Sequence, residues 1–118
     1  LHVRFPHVGQ GESTAVVHAS RIRLAEQIDT ASARQVAQAL EVWRDGMSGL
    51  DAAGCVADRL EALYARAGMP TRLRQLDIPR DALPDIARDT VKNFNANAGL
   101  RTPQAQIDDA LRLLQAAY

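Results

Sequence analysis

The chain is poor in cysteine and aromatics, carries no surplus of either charge and has no long apolar run. Each absence removes a class of protein. The single Cys55 cannot close an internal disulfide, which argues for a reducing, cytoplasmic setting over a stapled secreted scaffold. Lys+Arg and Asp+Glu number 14 each, whereas a general nucleic-acid or polybasic membrane binder needs clustered positive charge. No apolar run approaches the roughly 20 residues of a membrane helix. The three histidines, His2, His7 and His18, are too few and too badly spaced for a self-sufficient zinc or iron site. They form no H-E-x-x-H, no Cys/His pair and no Asp-x-x-x-His. The G-x-G-x-x-G, G-x-x-x-x-G-K-[ST] and G-x-S-x-G patterns are absent too. Cys55 has no basic neighbour on its own helix face to activate it as a nucleophile. By itself the chain holds no catalytic residue that its own residues identify.

What is present is helix. Alanine is abundant, β-branched runs are short, and 118 residues are one domain's worth of chain. Residues 1–12 alternate polar and apolar and contain Pro6, Gly9 and Gly11, so they read as a loop or extended arm. Glu12 or Ser13 opens the first helix, with Ala15, Val16, Ala19, Ile22 and Ala25 inward and Val17 and Leu24 widening the stripe. Asp29 and Thr30 offer an N-cap to a second helix carrying Ala33, Val36, Ala37, Leu40 and Trp43.

The best-punctuated stretch is Ser48 to Leu76. Asp51 is placed to cap a third helix, with Leu50 before it as a hydrophobic staple on Cys55. Val56, Ala57, Leu60, Leu63, Tyr64 and Ala67 follow helical spacing; Gly68 supplies the left-handed end and Pro70 forbids continuation. Thr71 then caps a short helix from Arg72. Pro84 is tolerated in the first turn of the next helix, whose stripe runs through Leu83, Ile86, Ala87, Val91 and Phe94. Residues 93–101 are turn-rich, and Thr102 with Pro103 opens a last helix bearing Ile107, Ala110, Leu111, Leu114 and Tyr118. The sum is an all-α domain over residues 13–118, an antiparallel bundle of about five main helices and one short one. The chain begins at Leu1 with no signal-peptide layout, as a piece of something longer would.

Two loop residues bear on chemistry. His7 stands in a glycine-containing loop ahead of a helix, a place from which a side chain reaches a cleft; base rates favour an ordinary exposed histidine. The G-Q-G-E loop at Gly9–Glu12 is a weak anion cradle. His18, between Ala15 and Ile22, reads as packed or hydrogen-bonded.

The order of motifs says more than any one. Gly68, Pro70 and Leu73, then Leu76, Ile78 and Pro79, then Leu83, Pro84, Ile86 and Ala87 resemble the C-terminal helical domain of iron-containing alcohol dehydrogenases. Asp77 stands where that pattern has glycine. S-G-L-D-A-A at 48–53 is similar to the maleylacetate-reductase branch, and T-P-Q-A-Q-I at 102–107 to the family's last helix. G-Q-G-E-S-T-A resembles the family's "His-Gly-Glu-Ala-x-Ala" helix, also found in its dehydroquinate-synthase relatives. There the histidine is a metal ligand; here Gln10 holds that position, with His7 the alternative after a shift.

The resemblance implies a metal-dependent alcohol dehydrogenase-like oxidoreductase using NAD or NADP and a divalent metal, iron or zinc. It acts on a small alcohol or carbonyl substrate, and a homodimer is compatible with it. The cofactor belongs to an N-terminal dinucleotide-binding domain absent from these residues. This chain would form one wall of the cleft, inactive alone, with His7 as its single metal ligand. The alternatives are a non-catalytic helical interaction module, or a relative of the dehydroquinate synthase or glycerol dehydrogenase type; no nucleic-acid or membrane partner is expected.

Overall fold

The computed structural model describes residues 1–92 and 102–118, and Phe94 with the turn-rich 93–101 stretch lies outside them. Among the described residues five α-helices follow in order: α1 Gln10–Arg23, α2 Thr30–Ala39, α3 Gly49–Arg66, α4 Leu83–Thr90 and α5 Pro103–Ala116. Two 3-10 turns, Leu73–Leu76 and Arg80–Ala82, link α3 to α4. The described residues contain no strand, as the all-α reading requires, and no helix long and apolar enough to cross a membrane.

The helices start where backbone N–H groups find acceptors. α1 opens at Gln10, two residues earlier than Glu12, because the extended Gly9 precedes it and the Glu12 carboxylate accepts from the Gly9 N–H at 2.8 Å. α2 is capped by Asp29 as expected, its carboxylate accepting from Ser32 N–H at 2.9 Å. At α3 the cap is Ser48, not Asp51. Ser48 Oγ accepts from Asp51 N–H at 3.1 Å, and the Asp51 carboxylate accepts in return from Ser48 N–H at 3.3 Å. That reciprocal pair is a capping box, and it puts Leu50 inside the helix, exposed and no staple. Thr71 does not cap either: Gln75 Oε1 accepts from the N–H groups of both Thr71 and Arg72, each at 2.8 Å. Thr102 and Pro103 open α5 as expected.

Endings follow local chemistry too. Gly68 takes φ +73° after α3, the left-handed stop that the sequence announces. α2 ends at Ala39, short of Trp43, because Glu41 turns left-handed at φ +60°. Leu40 and Trp43 still pack on the α2–α3 core, held by Val42 and Trp43 N–H bonds to Ala37 O. Asp77, where the resembled motif has glycine, adopts φ +54°. The turn therefore needs a left-handed residue, and Asp tolerates that conformation better than most.

The core has two parts. Ala33, Ala37, Ala52 and Val56 join α2 to α3, small residues that let the helices approach closely. Val8, Val16, Leu73, Ile78, Leu83 and Leu114 form the larger cluster, drawing in the N-terminal loop, α1, the 3-10 turns, α4 and α5. Val8 is buried, so residues 1–9 are a packed loop with turn bonds from Arg4 and Phe5 N–H to Leu1 O. α1 contacts both α3 and α5 and so bridges the two halves. Glu61 fastens the seam: burial pushes its carboxyl up, but bonds from Arg23 at 2.7 Å and Arg72 at 2.5 Å outweigh that and hold it below its usual range. The molecule spans 43 × 37 × 21 Å, and its thin dimension is about two helix diameters. Both core halves therefore lie close to a surface.

Candidate functional site

The N-terminal loop, α1, α4 and α5 enclose a cleft of about 650 Å³. Its floor is apolar: Val17, Ile86, Ala110, Leu113 and Leu114. Gln10, Thr14, His18 and Arg21 run along one side of it at the helical spacing that stacks residues three and four apart on one face. His2 and Ser13 close the loop end.

Both histidine rings at this cleft are held at Nδ1. His2 Nδ1 donates to Val8 O at 2.8 Å, and its Nε2 lies 3.4 Å from Ser13 Oγ. His18 Nδ1 lies 2.9 Å from Tyr64 Oη across the α1–α3 contact, with the two rings 6.2 Å apart. His18 is thus hydrogen-bonded, as its place on the helix implied. The Ser13, Thr14 and Thr90 hydroxyls donate to the backbone oxygens of Gly9, Gln10 and Ala87, so each turns lone pairs outward.

The two metal-ligand candidates stand apart. Gln10 is the first residue of α1 and lines the cleft. His7 is exposed on the other side of the loop, where its Nε2 donates to Leu76 O at 3.2 Å and its ring meets Phe5 edge-on at 6.1 Å. Among the described residues no three His, Cys, Asp or Glu side chains converge on a point where they could hold a metal. A ligating histidine commonly donates its second ring nitrogen to a backbone carbonyl, which fixes ring and tautomer. The His7–Leu76 bond is of that kind and leaves Nδ1 to accept. The residues present fit the supply of one ligand.

One expectation changes. Cys55 does have a basic neighbour: Arg59, one turn later on α3, lines the same small cleft beside Trp43 and Arg44. Val17 packs half-buried against the main core and floors the cleft. Leu24 is half-buried and borders a separate cleft against α5. His2 and Arg21 drew no attention in the sequence as site residues. The 10–14–18–21 spacing on α1 was the available signal for Arg21; His2 gave none, because only the turn through Leu1–Phe5 brings it back over α1.

A second, more apolar groove of about 770 Å³ lies between the end of α1, α2 and α3, floored by Ile22, Ile28, Val36, Val56 and Leu60.

The sequence pattern described as "Fe-containing alcohol dehydrogenase family, C-terminal" matches residues 3–118. Nothing among curated proteins or solved structures matches the chain.

Proposed function

Because the chain belongs to the Fe-containing alcohol dehydrogenase family, as its C-terminal domain, we propose that it is one wall of the active-site cleft of a nicotinamide-dependent alcohol dehydrogenase-like oxidoreductase. The observation that carries this reading is the match across residues 3–118, supported by an open cleft on the face of α1 that the loop and α5 border. The substrate is a small alcohol or carbonyl compound.

The chain's own part is positional. α1 is pinned to α3 by the His18–Tyr64 bond and to α5 by Ser20 Oγ donating to Ala116 O at 3.3 Å. With a metal held on the Gln10 side, a substrate carbon chain on Val17, Leu113 and Leu114 would be shielded from water there. His7 Nδ1 is the ligand this chain offers to a divalent metal, iron or zinc; Gln10, a neutral amide, is the weaker alternative. The chemistry such a metal supplies is polarisation of the substrate oxygen, with NAD or NADP as hydride partner. The remaining ligands and the dinucleotide-binding half come from an N-terminal domain.

The test starts with the coding sequence upstream of Leu1. An open frame carrying a dinucleotide-binding half and an Asp-x-x-x-His helix is expected. The longer protein then binds metal and reduces an aldehyde, His7→Ala lowers its metal content, and residues 1–118 alone show no turnover. A frame lacking that half sinks the oxidoreductase reading. The exposed apolar groove at Val36 and Leu60 then favours the second reading, a helical interaction module.

A further inference from the structure

We propose that the cleft beside α1 binds a small organic carboxylate, its charge held by Arg21 and His18 and its hydrocarbon body laid on Val17, Leu113 and Leu114. The inference concerns binding by this chain's own residues and does not rest on the redox reading.

Charge gives the first argument. Among the described residues that line this cleft there is no acidic side chain, while there is one guanidinium. Five other arginines meet carboxylates: Arg4 with Asp85 and Asp89, Arg23 with Asp58 and Glu61, Arg72 with Glu61, Arg88 with Asp85, Arg112 with Glu26. Arg34 and Arg80 lie over the rings of Trp43 and Tyr118, and what sets Arg21 apart from the remaining arginines is its place at the edge of this apolar cleft. Arg21 makes no ion pair and no hydrogen bond with the described residues. It also borders the neighbouring cleft, where Glu26 and Asp109 stand, but both acids lie near Arg112, at 3.3 Å and 3.9 Å. A guanidinium with an open fork beside an apolar floor is matched by a carboxylate, which it can hold with two parallel N–H bonds.

The remaining polar groups fix where the charge goes. The Ser13, Thr14 and Thr90 hydroxyls have spent their hydrogens on backbone oxygens, so they repel an anion as they stand. His18 lies three residues before Arg21, one turn along the same face, and its Nδ1 contact with Tyr64 fixes the ring and leaves Nε2 unbonded. The charged end of the ligand therefore lies at the Arg21–His18 end, and its uncharged end toward Gln10. About 650 Å³ lies within the usual range for small-molecule sites, which are largely apolar with a few fixed polar groups.

The probe is hexanoate, compared with hexan-1-ol and acetate, with binding followed by amide chemical shifts of the 15N-labelled protein. Hexanoate is expected to bind most tightly and to shift amides at residues 14–21 and 110–114. Arg21→Gln, at an exposed position and so harmless to folding, is expected to weaken hexanoate roughly tenfold and leave hexan-1-ol unchanged. Arg66→Gln, at the far end of α3, serves as the control and leaves hexanoate binding intact. Equal binding of hexanoate and hexan-1-ol overturns the proposal. So does a shift map centred on the Val36–Leu60 groove, unchanged affinity in Arg21→Gln, or no binding at millimolar hexanoate.

Discussion

Gly49 is a position where one methyl group reads out the packing of the smaller core. It is the first residue of α3, buried, and it faces Thr30, the first residue of α2. A Cβ added there would stand 2.8 Å from Thr30 Oγ1 and 3.3 Å from Thr30 Cα. The hydroxyl can rotate away, but the Cα belongs to a backbone fixed by the Asp29 cap and cannot. Alanine gains up to about 1 kcal/mol of helix propensity over glycine in a helix interior, and less at a first position. Overpacking typically costs about 1–3 kcal/mol. Gly49→Ala should therefore destabilise by about 1–2 kcal/mol, lowering Tm by roughly 4–10 °C for a chain of this size. Thr30→Ala removes the closer contact and leaves the farther one, so the double variant should recover part of the loss, with a coupling of about 0.5–1 kcal/mol. Urea and thermal unfolding followed by circular dichroism measure all four proteins. Gly49→Ala as stable as the parent, or a deficit that Thr30→Ala leaves untouched, would refute the reasoning.

Two further outcomes test the turn and the loop. Asp77→Gly should raise stability by up to about 1 kcal/mol and Asp77→Ala lower it by a similar amount, because only the first removes the cost of a left-handed side chain; reversal of that order in urea unfolding would show that the Asp77 side chain, not its φ, holds the turn. Bonds from Arg4 and then Lys92 lower the Asp89 carboxyl to about 2, so its contribution is full above the ordinary Asp value near 4 and is lost as pH falls toward about 2. The Tm gap between parent and Asp89→Asn should be constant from pH 5 to 7, shrink below about pH 4 and close near pH 2; a gap unchanged at pH 2 would exclude the ion pairs as its source.

What could be read from residues alone were the features set by local chemistry. The Asp29 and Thr102 caps, the Gly68 stop and the Pro103 start depend on atoms within a few residues of each other, so identity and spacing suffice. The errors came where two local solutions competed. Ser48 and Asp51 both have N-cap chemistry, and the capping box uses them together, which moved the α3 start and exposed Leu50. Gln75 displaced Thr71 as the group satisfying the turn because a side chain four residues on reaches the same N–H groups. The candidate site was less legible, since it is assembled across distance: His2 reaches it through a turn and the floor comes from α5. The Cys55–Arg59 pair, four residues apart on α3, was legible from helical spacing and was missed.

The separation of His7 from Gln10 has a consequence for the whole protein. Gln10 opens onto the cleft under α5, whereas His7 is anchored to Leu76 at the 3-10 turn. A metal held through His7 would place the opposing wall over the loop and the Leu73–Leu76 turn. One held through Gln10 would place it over α1 and α5, directly above Arg21 and His18. The family motif favours the second position and the chemistry of the side chain favours the first. The ligand's identity therefore also reports which face of this domain meets its partner. If His7→Ala releases the metal, the carboxylate cleft beside Arg21 is a separate site; if the metal survives it, cleft and reaction centre share one wall.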